Sequence, residues 1–163
     1  MFSQSDIIQL LKSIPWFLEL KEPQMHEVAA ISNYTTLEPG EYLFHEGDQI
    51  LDVFILLDGE IGVEHQVPFR GNLQVYKEEP LDILGWSTLT PVVRQRTAAA
   101  YAISPCKLLE INGSALQTLC DQDHDLGYII MKRIANVVAS RMLITRLQLF
   151  DMIAQEHQKS IEK

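Results

Sequence analysis

The chain has 163 residues, 47% of them hydrophobic and 21% charged, with a formal net charge of −9. That length suits one domain with an appendage, and the composition is that of a folded globular protein. The acidic balance argues against broad attraction to DNA, and no apolar run approaches the ~18 residues that a membrane span needs.

The N-terminus, MFSQSDIIQLLKSIPWF, lacks the basic start and small-residue cleavage site of a signal peptide, so a cytoplasmic protein is expected. Residues 4–19 space Ile7, Ile8, Leu10, Leu11 and Ile14 as a helix does, with Ser5 as a cap and Pro15 as a break. A second short helix is expected over 22–32, with Pro23 in its first turn. Together they form an N-terminal helical segment, 1–33.

From Tyr34 to Ile111 the texture changes to short β-leaning runs divided by turn signals at Pro39-Gly40, Glu46-Gly47-Asp48 and Asp58-Gly59. The apolar run Val53–Leu57 suits a strand buried on both faces. Many short strands at this spacing predict a sandwich or barrel, placed at 34–120. From Asp121 the apolar residues Leu126, Ile129, Ile130, Ile134, Val137, Val138, Met142, Ile144, Leu147, Leu149, Phe150 and Ile153 predict one long helix over 121–155, ahead of a polar tail, 156–163. That helix is too apolar to cover its own domain alone; one side is expected on the β-body and another on a second subunit.

Chemistry concentrates in DILGWSTLTPVVRQRTAAA, residues 82–100. Gly85 can take a positive φ, and Ser87 and Thr88 can open a short turn with outward N–H groups, an arrangement that attracts anions. Arg96 offers a guanidinium suited to bidentate phosphate binding, Thr97 a hydroxyl, and Ala98 leaves room. Spacing alone leaves a structural alternative open: Arg96 paired with Glu78, Glu79 or Asp82.

The chain resembles the cyclic nucleotide-binding domains of the catabolite activator protein, protein kinase A regulatory subunits and cyclic nucleotide-gated channels, over roughly residues 8–153. The segment LEPGEYLFHEGDQILDVFILLDGEIGVE carries the family's strand–turn pattern with Gly40, Gly47 and Gly59, and Gly85 with Arg96-Thr97-Ala98 matches its phosphate-binding cassette. The resemblance implies a jelly-roll barrel with N-terminal helices and a long C-terminal dimerisation helix. It implies that Arg96 holds the ligand's phosphate, that Thr97 adds a hydroxyl bond, and that Gly85, Ser87 and Thr88 line the same pocket. Trp86 stands where the family has a glutamate that accepts from the ribose 2′-hydroxyl. Losing that acceptor costs on the order of 1–3 kcal/mol. Ser140 and Arg141 on the long helix fall where the family meets the base.

The expected function is a sensor for cyclic AMP, cyclic GMP or another phosphorylated metabolite, with no cofactor or metal. It would signal through the helix to a homodimer or a protein partner. The alternative is a ligand-free interaction and dimerisation module whose pocket Trp86 has made degenerate. DNA binding is not expected, because no helix-turn-helix follows the long helix in this sequence. Enzyme readings find little support: His26, His45, His65, His124 and His157 are scattered, and Cys106 and Cys120 have neither zinc nor redox spacing.

Overall fold

The structure is a computed structural model that describes residues 2–49, 52–90 and 95–161, with side chains to 155. It opens with α1 (Gln4–Ser13), a 3-10 turn at Pro15–Phe17 and α2 (Glu22–Ala30). The cap of α1 is Ser3 and not Ser5. A capping box needs a side-chain acceptor three residues after the cap. Ser3 has Asp6 there, whose carboxylate takes the Ser3 amide at 2.8 Å while Ser3 Oγ takes the Asp6 amide at 3.2 Å; Ser5 has Ile8.

Eight strands follow: β1 (Ser32–Leu37), β2 (Tyr42–Phe44), β3 (Asp52–Asp58), β4 (Ile61–Val67), β5 (Gly71–Glu78), β6 (Ile83–Leu84), β7 (Ala99–Ala102) and β8 (Cys106–Asn112). They form two antiparallel four-stranded sheets, in the orders β1-β8-β3-β6 and β2-β7-β4-β5. This is the jelly-roll arrangement that the turn spacing and the resemblance led one to expect.

One core lies between the sheets. Phe54, Leu56, Leu84, Cys106 and Leu108 come from the first sheet, and Phe44, Ile61, Ala100 and Ala102 from the second. Side chains alternate along a strand, so Val53 and Ile55 of β3 and Leu109 and Ile111 of β8 turn the other way. They too are buried, and α1, α2 and the helix Gly113–Gln122 lie against that sheet. Val53–Leu56 is thus buried on both faces, as its unbroken apolar run predicts.

The last third departs from the expected single helix. Residues Gly113–Gln122 form a separate α3, capped by Asn112, whose Oδ1 takes the Ala115 amide at 2.9 Å. The long helix α4 runs from His124 to Ile161. Asp123 makes the break: its backbone is extended, and its Oδ1 accepts from the amides of Asp125 at 3.0 Å and Leu126 at 3.1 Å. Asp at that point favours a cap over helix interior, because its short acceptor competes for backbone donors. The chain divides into two compact units, Met1–Ile129 and Ile130–Lys163, so α4 starts in the first and makes up the second. Within the second unit Met142, Leu143, Leu147, Leu149, Phe150, Met152 and Ile153 are exposed.

Candidate ligand-binding site

The segment between β6 and β7 builds the site. Gly85 leaves β6 in the left-handed region, with φ 72°, and caps a 3-10 turn at Trp86–Leu89. A side chain there would collide with the rest of the site. A Cβ on Gly85 would sit 2.6 Å from Arg96 Nη1 and 2.8 Å from the Asp52 carbonyl oxygen. Glycine is therefore required twice, by its backbone angle and by the approach of the guanidinium.

Arg96 is 4% exposed. Its Nη1 donates to the Gly85 carbonyl at 2.9 Å and to Thr88 Oγ1 at 3.0 Å, and its Nη2 donates to the Asp52 carbonyl. The guanidinium carbon lies 4.6 Å from the centre of the Phe44 ring, a cation–π contact. The backbone is pinned as well: the Arg96 amide donates to the Asp48 carbonyl at 2.9 Å, and the Gly47 amide to the Arg96 carbonyl at 2.8 Å. Glu78, Glu79 and Asp82, the partners that spacing left open, do not supply these bonds. Asp82 instead receives the Glu79 amide at 2.9 Å.

Two consequences follow from this mode of holding. Burial pushes the guanidinium below its ordinary pKa, against the opposing pull of Asp52 and Asp48. And Arg96 Nε is buried with no hydrogen-bond partner among the described residues. A buried cationic N–H without an acceptor is costly.

The cleft itself is a small cavity of about 70 Å³ that opens to solvent. Gly85, Trp86, Ser87, Arg96, Thr97 and Ala98 line one part of it, and Phe44, Val63, Tyr76, Glu78, Ile83 and Leu84 the rest. Of the predicted residues, Gly85, Trp86, Ser87, Arg96, Thr97 and Ala98 are thus brought together. Thr88 is one layer behind: its hydroxyl holds Arg96 and its amide closes the turn on the Gly85 carbonyl at 3.1 Å, so that amide is already used. Ser140 and Arg141 lie on α4 in the other compact unit. Trp86 is half-buried and is one of the residues lining the cleft.

A family model, the cyclic nucleotide-binding domain, matches residues 34–123. The chain belongs to the cyclic nucleotide-binding domain family. Its fold is similar to that of a candidate cyclic nucleotide-binding protein from Geobacter metallireducens, with 25% identity, 87% of this chain and 99% of that one covered, and a TM-score of 0.73. A cyclic nucleotide-binding domain from Methylobacillus flagellatus shares 18% identity over 91% of this chain and 83% of that one, with a TM-score of 0.75. The regulatory domain of Toxoplasma gondii protein kinase A, solved with cAMP, shares 21% identity over 71% of this chain and 43% of that one, with a TM-score of 0.60. No curated protein is similar enough to this chain to count as a relative. Among the described residues no three His, Cys, Asp or Glu side chains gather as a metal site, and no helix is long and apolar enough to cross a membrane.

Sequence reasoning missed the far side of the cleft. Phe44, Val63, Tyr76 and Ile83 read as ordinary strand residues, and only the pairing of distant strands turns them toward Arg96. Spacing offers Glu78 only as a possible structural salt-bridge partner for Arg96; it is 3% exposed and lines the cleft. Its one sequence signal is a charge at a strand end, which is also what a solvated turn shows.

Proposed function

We propose that the chain is a sensor that binds a cyclic nucleotide or a similar small phosphorylated ligand in the Arg96 cleft. The observation that carries this reading is the Nε, without a partner among the described residues, of a buried arginine three of whose other four N–H groups are fixed by Gly85, Thr88 and Asp52. Such a guanidinium is preorganised, so a phosphate gains charge-assisted hydrogen bonds without first ordering the side chain. Thr97 adds a hydroxyl at the same cleft, and Ser87 a second. The Toxoplasma neighbour was solved with cAMP, which makes cyclic AMP a natural first probe.

The output is proposed to pass through α4 to a second copy or another protein. Leu143, Leu147 and Phe150 recur at the i, i+4, i+7 spacing of a helix seam, and all are exposed. A switch of this kind requires the ligand to favour one arrangement of the helix over another. Light scattering of the pure protein with and without nucleotide tests this output; a monomer unchanged by ligand, with no partner response, refutes it.

Calorimetry of the pure protein with cyclic AMP, cyclic GMP and inorganic phosphate tests the site. Binding that disappears in Arg96→Met is the expected result. No binding by any of them refutes the sensor reading. One observation favours the second reading, an interaction module with a degenerate pocket: Trp86 occupies the family's glutamate position and supplies no carboxylate.

A further inference from the structure

Across the second sheet one row of residues runs in register. Tyr42 of β2 stands opposite Tyr101 of β7, Tyr101 opposite Gly62 of β4, and Gly62 opposite Lys77 of β5. Ile61, Ala100 and Ala102, their neighbours along β4 and β7, belong to the core between the sheets. Side chains alternate along a strand, so the row faces outward, on the side of the sheet away from the Arg96 cleft.

Gly62 decides how Tyr101 lies on that face. A Cβ on Gly62 would sit 2.7 Å from Tyr101 Cζ and 2.8 Å from Cε1, so the ring covers the glycine and any side chain there would lift it. The Tyr101 hydroxyl donates to Gln74 Oε1 at 2.7 Å, which fixes the far end of the ring. Tyr42 lies beside it, ring centres 5.6 Å apart, with its hydroxyl donating to Glu64 Oε1 at 2.9 Å and its ring stacked on His45 at 4.4 Å. Tyr42 is exposed and Tyr101 half-buried. With both phenol protons engaged, what the pair offers to solvent is ring surface, held in place before anything binds.

The surroundings set the charge of the occupant. The face of an aromatic ring is the negative pole of its quadrupole, and a phenol that donates to a carboxylate is richer in electrons than a free one. Acids border the pair: Glu64 at Tyr42, and Asp48 at 3.8 Å from His45. Lys77, the one cation of the row, lies 3.5 Å from Glu60. A second copy of a chain with a net charge of −9 is repelled from such a face, and a cation is drawn to it.

We propose that Tyr42 and Tyr101 form a docking shelf for an arginine side chain of a protein partner, its guanidinium lying against the rings. Arginine suits the shelf better than lysine, because its planar and weakly hydrated head stacks on an aromatic face while an ammonium keeps its water. The same chemistry already operates on the other side of β2, where Arg96 lies 4.6 Å from the centre of the Phe44 ring. The shelf stands or falls apart from the phosphate reading, since the two sites share no residue.

The test is calorimetry and amide NMR of the full chain at physiological ionic strength, with capped penta-arginine and penta-lysine peptides as probes. The arginine peptide should bind more tightly than the lysine peptide and shift the amides of Tyr42, Gly62 and Tyr101. Tyr42→Leu leaves the net charge unchanged and removes an exposed ring; it should weaken the arginine peptide roughly two- to fivefold, while Tyr42→Phe keeps most of the affinity. Gly62→Ala, which lifts the Tyr101 ring and keeps both tyrosines, should weaken it to a similar extent, and Tyr42→Leu carries the test if that variant does not fold. Equal affinity for the two peptides, or wild-type affinity in Tyr42→Leu, would reduce the binding to net charge and overturn the proposal. So would the same amide shifts appearing in the protein alone as its concentration rises, which would seat a second copy on the shelf. Failure of the arginine peptide to bind overturns it outright.

Discussion

Glu64 and Arg96 are both charged side chains taken out of water in the same β-body, and the protein treats them differently. Glu64, on β4, is 9% exposed, and its Oε1 receives Tyr42 Oη and Asn72 Nδ2, each at 2.9 Å. These donors come from two other strands of the same sheet, Asn72 from the adjacent β5 and Tyr42 from β2 beyond β7, and the group ties β2, β4 and β5 together. Arg96 is more deeply buried, is held chiefly by carbonyls, and keeps Nε without a partner among the described residues. A satisfied buried charge is a structural element. One held rigid yet incomplete is the basis of the ligand site we propose.

The contrast can be broken most severely at Arg96. Arg96→Met keeps length and burial but removes every donor, and we expect phosphate and nucleotide affinity to fall at least ~100-fold, the worth of about two charge-assisted bonds. Urea denaturation should show a much smaller loss, about 1–3 kcal/mol, from carbonyls left without their donor. A variant that unfolds while wild type binds no anion would make Arg96 structural, like Glu64. Next comes Gly85→Ala. Its Cβ must displace either the guanidinium or the Asp52 strand, and the positive φ adds strain. A loss of roughly tenfold or more in anion affinity is expected by calorimetry, with about 1–2 kcal/mol of stability.

Glu64→Ala should reverse the pattern, losing about 1–3 kcal/mol of stability with ligand affinity unchanged. A parallel loss of binding would show the two regions to be coupled. The smallest effect is a titration. The hydrogen bond to Glu64, with burial and the carboxylate's charge behind it, holds the Tyr42 phenol above its ordinary pKa of 10.0. A raised folded value means that the contribution is whole below pH about 10 and fades as pH rises toward the folded value. Ultraviolet titration should find Tyr42 ionising late in wild type and earlier in Glu64→Ala, where the acceptor is gone.

Some of this was legible in local patterns. Gly85, Arg96, Thr97 and Ala98 lie close enough in the chain for spacing to mark a phosphate-type cassette, and the resemblance upstream made it specific. The β-body followed from turn residues and short apolar runs, and Val53–Leu56 from a run too continuous to face water on either side. Helix boundaries were less legible. Asp121 and Asp123 both look like helix-start residues, and only the hydrogen bonds from Asp125 and Leu126 show that Asp123 is the one that breaks the chain direction. The cap of α1, expected at Ser5, is Ser3, because only Ser3 has an acceptor three residues later.

The far wall of the cleft was not legible, for a physical reason. Phe44, Tyr76 and Glu78 lie on strands far from Arg96 in sequence, and a strand's own pattern says which residues share a face but not what that face meets. Likewise, nothing near Arg96 in sequence reveals that the carbonyl of Asp52, from another strand, would take one of its donors. The sequence by itself determined the family, the strand–turn rhythm and the residues of the cassette, since these depend on backbone angles and neighbours a few positions apart. Tertiary structure alone decided that the guanidinium is held by main-chain carbonyls, that its Nε has no partner among the described residues, and that Glu78 lines the same cleft. Those facts depend on which strands pair, and pairing is fixed by the burial of the whole core rather than by any one segment.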